Sequence, residues 1–185
     1  MFSLVRFVSW QAIHDIGKKG LSDEQKIQIV EILSKYTKVF ISSEIELPRE
    51  LRKFQLDINP HYMHDVIANA SLMFSESPTM ATEAAVLGIP SVYVSPSKRG
   101  YVDDLANTYH LMEIFNNTPK EIEKSLQKSI DLIQNLACKN EWQQKRQKML
   151  SEKINASAFL IWFIENYPTS EDIMKEKPDY QYYFK

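Results

Sequence analysis

The sequence predicts the α/β class, a parallel sheet with helices on both faces. Two observations carry this. Short apolar runs alternate with segments of helical period along most of the chain, the order that strand–helix–strand units require. And the stretch Ser71–Val94, SLMFSESPTMATEAAVLGIPSVYV, reads in one pass as strand, tight turn, alanine-rich helix, glycine stop and second strand.

Each element has its own signal. Phe2–Ser9 is a Val- and Phe-rich run and the first strand. Ser22 starts a helix, with Gln25 three residues on as the reciprocal partner of a capping box. Its apolar positions Ile29, Ile32, Leu33 and Tyr36 share a face. Lys38–Ser42 is the second strand; a loop with Pro48 comes next, and Leu56–Ile58 reads as a short third strand. Pro60 opens a helix through Ala70, before the strand Leu72–Ser75. Ser77 is a good N-cap, Pro78 suits the first helical position, and Gly88 with Pro90 stops the helix. Ile89–Ser95 is a further strand, Tyr101–Thr108 a helix and His110–Phe115 the last strand. Pro119 starts a helix whose stripe Ile122, Leu126, Ile130 and Ile133 is built to lie on a sheet. Asn140–Asn166 reads as one long helix or two, ended by Pro168, and Thr169–Lys185 is a charged, aromatic tail.

Bulk composition narrows the function classes. At 185 residues the chain fits one domain, or one with an appendage. Net charge is −2 with acids and bases interspersed, so nucleic acid is not expected as a ligand. Cys138 stands alone, which leaves no disulfide framework or cysteine zinc site within one chain and fits a reducing cytoplasm. Arg6 interrupts the apolar amino end, which reads as a strand and not a signal peptide. The run Ala158–Ile164 is far short of the roughly 20 residues that span a bilayer.

Three loops could carry chemistry. The turn at Ser77 opens directly into a helix, so its free N–H groups suit a phosphate. Thr79 and Glu83, four apart, share a face of that helix. Glu83 sits among Ala81, Ala84, Ala85 and Leu87, and its carboxylate must reach solvent or find donors. Ribose hydroxyls are such donors; a solvated helix-edge glutamate is the plain alternative. The second loop, Trp10–Gly20, gathers His14, Asp15, Lys18 and Lys19 between two glycines; His14 suits an acid, base or phosphate donor, against a polar turn with solvated lysines. In the third, Ser95–Asp104, Lys98 and Arg99 suit a diphosphate and Asp103 or Asp104 sugar hydroxyls, against an exposed loop with an acidic helix start. Ser42, Ser43 and Glu44 come after the second strand, and a lone helical histidine such as His64 reads as a packed or capping residue. No His, Asp and Glu cluster has ligand spacing, so no tightly bound metal is expected.

These residues carry a resemblance. ESPTMATEAAVLGIP, Glu76 to Pro90, resembles the donor-nucleotide motif of GT-B glycosyltransferases and UDP-N-acetylglucosamine 2-epimerases. The chain is similar over nearly its whole length to the GT-B-like family DUF354, in RFVSWQAIHDIGKKGLS, KVFISSE, MHDVIANASLMFSES and FLIWFIENYP. The resemblance implies a Rossmann-like carboxyl-terminal half of a GT-B fold. Residues 1–150 would bind a nucleotide sugar, and 151–185 would form a crossing helix and tail packed on that domain or on an absent amino-terminal one. Glu83 would hold ribose. The turn at Ser77, with the Thr79 and Met80 amides and the Thr79 hydroxyl, would hold phosphate. The sequence departs from the pattern at Pro78, where proline removes an N–H donor.

The lone cysteine fits a cytoplasmic location, and the resemblance implies a nucleotide-sugar-binding half of a glycosyltransferase- or epimerase-like protein of polysaccharide biosynthesis. Its ligand would be a UDP-sugar, with no tightly bound cofactor. It would be incomplete for catalysis alone, with His14 as its own catalytic candidate. The other half would lie on another chain or have been removed from this one; a homo-oligomer is the further option. A second reading is a non-catalytic module that docks a partner through Phe159, Trp162, Phe163 and Tyr167.

Overall fold

The computed structural model describes residues 1–11, 17–96 and 100–185, which divide into two compact units, Met1–Arg146 and Gln147–Lys185. The first unit holds a five-stranded sheet: β1 (Phe2–Phe7), β2 (Lys38–Ser43), β3 (Leu72–Ser75), β4 (Ser91–Val94) and β5 (Met112–Phe115). The spatial order is β2-β1-β3-β4-β5 and every pair is parallel. Around it stand α1 (Asp23–Leu33), α2 (Met63–Asn69), α3 (Pro78–Val86), α4 (Gly100–Asn107), α5 (Pro119–Gln134) and α6 (Cys138–Glu152), whose residues up to Arg146 belong to this unit.

The predicted class is the observed one, and the sheet is a Rossmann-like parallel sheet flanked by helices. β3 and β4 are buried at every position, as central parallel strands must be. Leu4, Val5, Met73 and Phe74 are wholly buried, and each such side chain contributes about 1.5–3 kcal/mol relative to exposure. On one face Leu4 and Met73 pack with Ile67 of α2 and with Met80 and Ala84 of α3.

Several boundaries differ from the predicted ones. β1 stops at Phe7, and three residues on Trp10 takes a left-handed φ of 53°. Leu56–Ile58 is not a strand: one bridge, Ile41 to Gln55, and one bond, Leu56 N–H to the Ile41 carbonyl, are the pairing it makes. A 3-10 turn over Arg49–Phe54 leads into that bridge and a second, Pro60–Tyr62, precedes α2. The capping box at Ser22 and Gln25 is present. On α5 the buried face includes Ser125 and Ser129 beside Ile122, Leu126 and Ile133, while Ile130 is half-buried. Both serine hydroxyls donate to carbonyls of their own helix, at 2.7 Å each, so they pack as small neutral groups.

The strand order defines a switch point in the sheet. β1 feeds β2 on one side, and the chain then returns to place β3 on the other. The crevice between the carboxyl ends of β1 and β3 is the topological switch point, where open α/β sheets bind ligands.

The second unit comprises α7 (Ala156–Glu165), α8 (Thr169–Glu176) and a 3-10 stretch, Pro178–Phe184. Asn155 caps α7 by accepting from the Ala158 amide at 3.0 Å, and the helix preceding it ends at Glu152. The aromatic tail packs inside this unit: Tyr180 stacks on Trp162 with ring centroids 4.8 Å apart, and Phe184 meets Phe159 at 5.6 Å. The expected docking face is thereby corrected. Phe159, Trp162 and Phe163 are half-buried against their own unit, and the open face of α7 is Leu160, Ile161 and Ile164, with Tyr167 just beyond. No helix of the described residues is long and apolar enough to cross a membrane.

Candidate nucleotide site

At the switch point the chain leaves β3 through Ser75-Glu76-Ser77 and enters α3. Ser75 and Ser77 lock the turn. The Ser75 hydroxyl donates to the Ser77 carbonyl and accepts from the Ser77 amide, both at 2.9 Å. The Ser77 hydroxyl then caps α3 by accepting from the Met80 amide at 3.3 Å. Pro78 carries no N–H, and the Ala81 amide bonds the Ser77 carbonyl. The Met80 amide, expected to face phosphate, is thus engaged in the cap, and its side chain is buried in the core. Thr79 is exposed, and its amide has no partner among the described residues. The groups this turn leaves open are therefore the Thr79 amide and hydroxyl, at the positive end of α3.

The small residues expected around Glu83 do pack tightly: Ala81, Ala84 and Ala85 are wholly buried. Ser91 of β4 donates to the Ala81 carbonyl at 3.0 Å, fastening the helix to the sheet. Glu83 itself stands at the margin, its side chain one-third exposed, with Oε1 3.4 Å from Nε2 of His64. His64 lies in the first turn of α2 and is two-thirds exposed, so it is neither packed nor a cap. The far end of α3 is also held. Gln143 donates to the carbonyls of Leu87 and Gly88 at 3.1 and 3.2 Å, and Arg146 to that of Val86 at 2.8 Å, satisfying groups that a helix end leaves open.

Glu76 is the residue that sequence reasoning passed over. Its side chain is 1% exposed. Oε1 accepts from the Trp10 indole N–H at 3.0 Å and the Leu21 amide at 2.7 Å, while Oε2 is buried and makes no hydrogen bond of ordinary geometry among the described residues. Burial pushes the carboxyl above the usual glutamate range; the Leu21 amide, the Trp10 indole, the charge of Lys26 and, least, the Val8 amide oppose this. The only available signal was position: an acid directly after a strand buried at all four residues cannot readily escape to water.

On the β2 side Arg6 donates to the Ser42 hydroxyl at 2.7 Å and pairs with Glu44. Burial raises the Glu44 carboxyl, but the Ser9 amide and Arg6 outweigh it and hold it below the ordinary value. Ser42 and Glu44 thus serve Arg6. Asp103 and Asp104 sit half-buried early in α4. His14, Asp15, Lys98 and Arg99 lie outside the described residues. Among the described residues no group of three His, Cys, Asp or Glu side chains is placed to hold a metal.

No protein-family model matches the chain, and no curated protein does. Solved structures do. The spinosyn rhamnosyltransferase SpnG, complexed with spinosyn aglycone, superposes with a TM-score of 0.56 and 11% identity, over 89% of this chain and 45% of that one. A Listeria monocytogenes structure described as a UDP-N-acetylglucosamine 2-epimerase gives 0.53 and 11%, over 80% and 43%. Os79 of O. sativa, in complex with U2F and a trichothecene, gives 0.51 and 13%, over 78% and 35%. At identities this low the superpositions show the fold alone: the chain has the Rossmann-like architecture of one half of a GT-B fold, and it spans less than half the length of each of these structures.

Proposed function

We propose that the chain is the nucleotide-sugar-binding half of a GT-B-type glycosyltransferase or epimerase, of the DUF354 kind, taking a UDP-sugar as ligand. One observation carries the reading: the switch-point turn offers the Thr79 amide and hydroxyl, and Glu83 lies further along the same helix with its carboxylate at the solvent margin. An anion at the helix start and a diol one turn further on match the pyrophosphate and ribose of a nucleoside diphosphate. Lys98, Arg99 and His14 complete the proposed set by sequence position, as diphosphate neutralisers and acid–base candidate. In this reading a second Rossmann-like half, encoded elsewhere or on a longer chain, brings the acceptor and most groups for chemistry. The site of action is the cytoplasm.

Thermal unfolding with and without UDP tests this. A ligand bound only by the folded state at a hundredfold its Kd adds about 2.7 kcal/mol, so millimolar UDP raises the Tm of the wild type and not of Glu83→Ala. An unmoved wild-type Tm removes the reading.

The open face of α7 favours a second, compatible reading. Leu160, Ile161, Ile164 and Tyr167 are each more than half exposed, more contiguous apolar surface than a lone helix usually leaves open. A protein partner docking there would make the chain an interaction module. Light scattering of the chain alone and mixed with a candidate partner tests it; a monomer that captures nothing counts against it.

A further inference from the structure

We infer that Glu76 is a positioning residue that latches Trp10 and Leu21, on either side of the connection after β1, onto the turn after β3, so that these two anchors and the switch-point turn act as one piece. The inference rests on the reading of that crevice as a nucleotide site. The loop runs from Val8 to Leu21 and carries Lys18 and Lys19. One carboxylate oxygen gathers both of its ends, the Trp10 indole and the Leu21 amide.

The surrounding geometry is specific to this contact. The Glu76 amide donates to the Arg6 carbonyl at 3.0 Å, so the acid is fixed to β1 through its backbone as well. Trp10 holds a left-handed φ of 53°, a conformation costly for a bulky residue unless its surroundings impose it. Gly20 leaves the room: a Cβ there would lie 2.1 Å from the Trp10 indole nitrogen and 2.5 Å from Glu76 Oε1. A strained tryptophan, a glycine with no space for a methyl group and a buried acid therefore converge on one oxygen. A second tie, Asn117 Nδ2 to the Lys19 carbonyl at 2.7 Å, holds the loop's far side to the β5–α5 connection.

This arrangement exceeds the needs of core packing. A leucine of similar length would fill the space without a buried polar oxygen, whereas Glu76 keeps Oε2 buried with no hydrogen bond of ordinary geometry among the described residues, the Val8 amide acting only weakly on the carboxyl. Such a group is retained at a cost, and what it secures here is the placement of Trp10 and Leu21.

Trypsin reads the loop directly. Cleavage after Lys18 and Lys19, measured by mass spectrometry, reports how often the loop lifts; UDP titration of the same samples reports the site. Glu76→Ala is expected to raise loop cleavage and weaken UDP binding, each about tenfold, as loss of hydrogen bonds to a charged group implies. Glu76→Gln keeps an acceptor oxygen and should restore both to near wild type. If Glu76→Ala does not fold, Trp10→Phe removes one donor and should move both readouts in the same direction. Unchanged cleavage in Glu76→Ala, or in Trp10→Phe in its place, overturns the latch, as does Glu76→Gln behaving like Glu76→Ala. Cleavage that responds while no variant, wild type included, binds UDP supports the latch and overturns the nucleotide reading instead.

Discussion

Nε2 of His64, in the first turn of α2, stands 3.4 Å from Oε1 of Glu83 on α3. The pair links two helices that pack on one face of the sheet. Its exposure limits its structural worth: ion pairs in such settings contribute about 0–1 kcal/mol. His64→Ala is therefore expected to change unfolding free energy by less than about 1 kcal/mol in urea denaturation. A larger loss would mean that the pair is a structural strut and not part of an open binding edge.

The cap of α3 has a larger predicted value. Ser77 satisfies the Met80 amide and organises the turn through Ser75. Ser77→Ala should cost about 1 kcal/mol of stability. It should also weaken UDP binding, because the Thr79 amide is aimed by the same turn. Equal UDP affinity in the variant would separate the cap from the site.

Gly88 adopts φ 75°, and its carbonyl accepts from Gln143. A methyl group there would lie 2.5 Å from Gln143 Nε2 and 2.9 Å from Arg146 Cδ. Gly88→Ala should lose about 1–2 kcal/mol from backbone strain alone. Chemical denaturation measures it; a neutral result would show that the helix stop tolerates a right-handed residue.

The buried acid makes stability depend on pH. The Glu76 carboxyl is raised by burial, against the opposing pull of the Leu21 amide, the Trp10 indole and Lys26. A folded-state pKa above the unfolded one means that the folded chain holds the proton more tightly. The stabilisation is full below the unfolded-state pKa and is lost as pH rises through the folded-state pKa. Glu76→Gln carries no such titration, so its stability relative to wild type should climb from acid to neutral pH. A difference that stays flat in urea melts across that range would contradict the assignment.

Cys138 is buried, and burial, reinforced by the charge of Glu141, pushes its thiol up to about 11. At pH 8 the folded chain should react with a disulfide reagent about a hundredfold more slowly than the chain in urea. Equal rates would place the thiol at the surface.

The sequence made much of this legible through local rules. The capping box at Ser22, the Ser77-Pro78 helix start and the Gly88 stop all lie within a few residues of the groups they satisfy, and each formed. The parallel class came from the alternation of strand-like and helix-like segments. Long-range features were not legible. Glu76 finds Trp10 and Leu21 across 66 and 55 residues, and His64 meets Glu83 only because α2 and α3 lie side by side. Leu56–Ile58 looked like a strand because its apolar residues alternate; the chain offers it one bridge beside Ile41 and no ladder. On α7 period alone could not say which aromatic residues turn inward, since that depends on the tail folding back as Tyr180 and Phe184.

Isothermal titration with UDP and with 2′,3′-dideoxy-UDP tests the ribose contact of Glu83 most directly. Wild type should bind UDP at least about tenfold more tightly than the dideoxy analogue, the loss expected when hydrogen bonds to a charged group go missing. Glu83→Ala should bind both equally and weakly. Equal affinity of wild type for the two ligands, or undiminished binding of UDP by Glu83→Ala, would contradict the account.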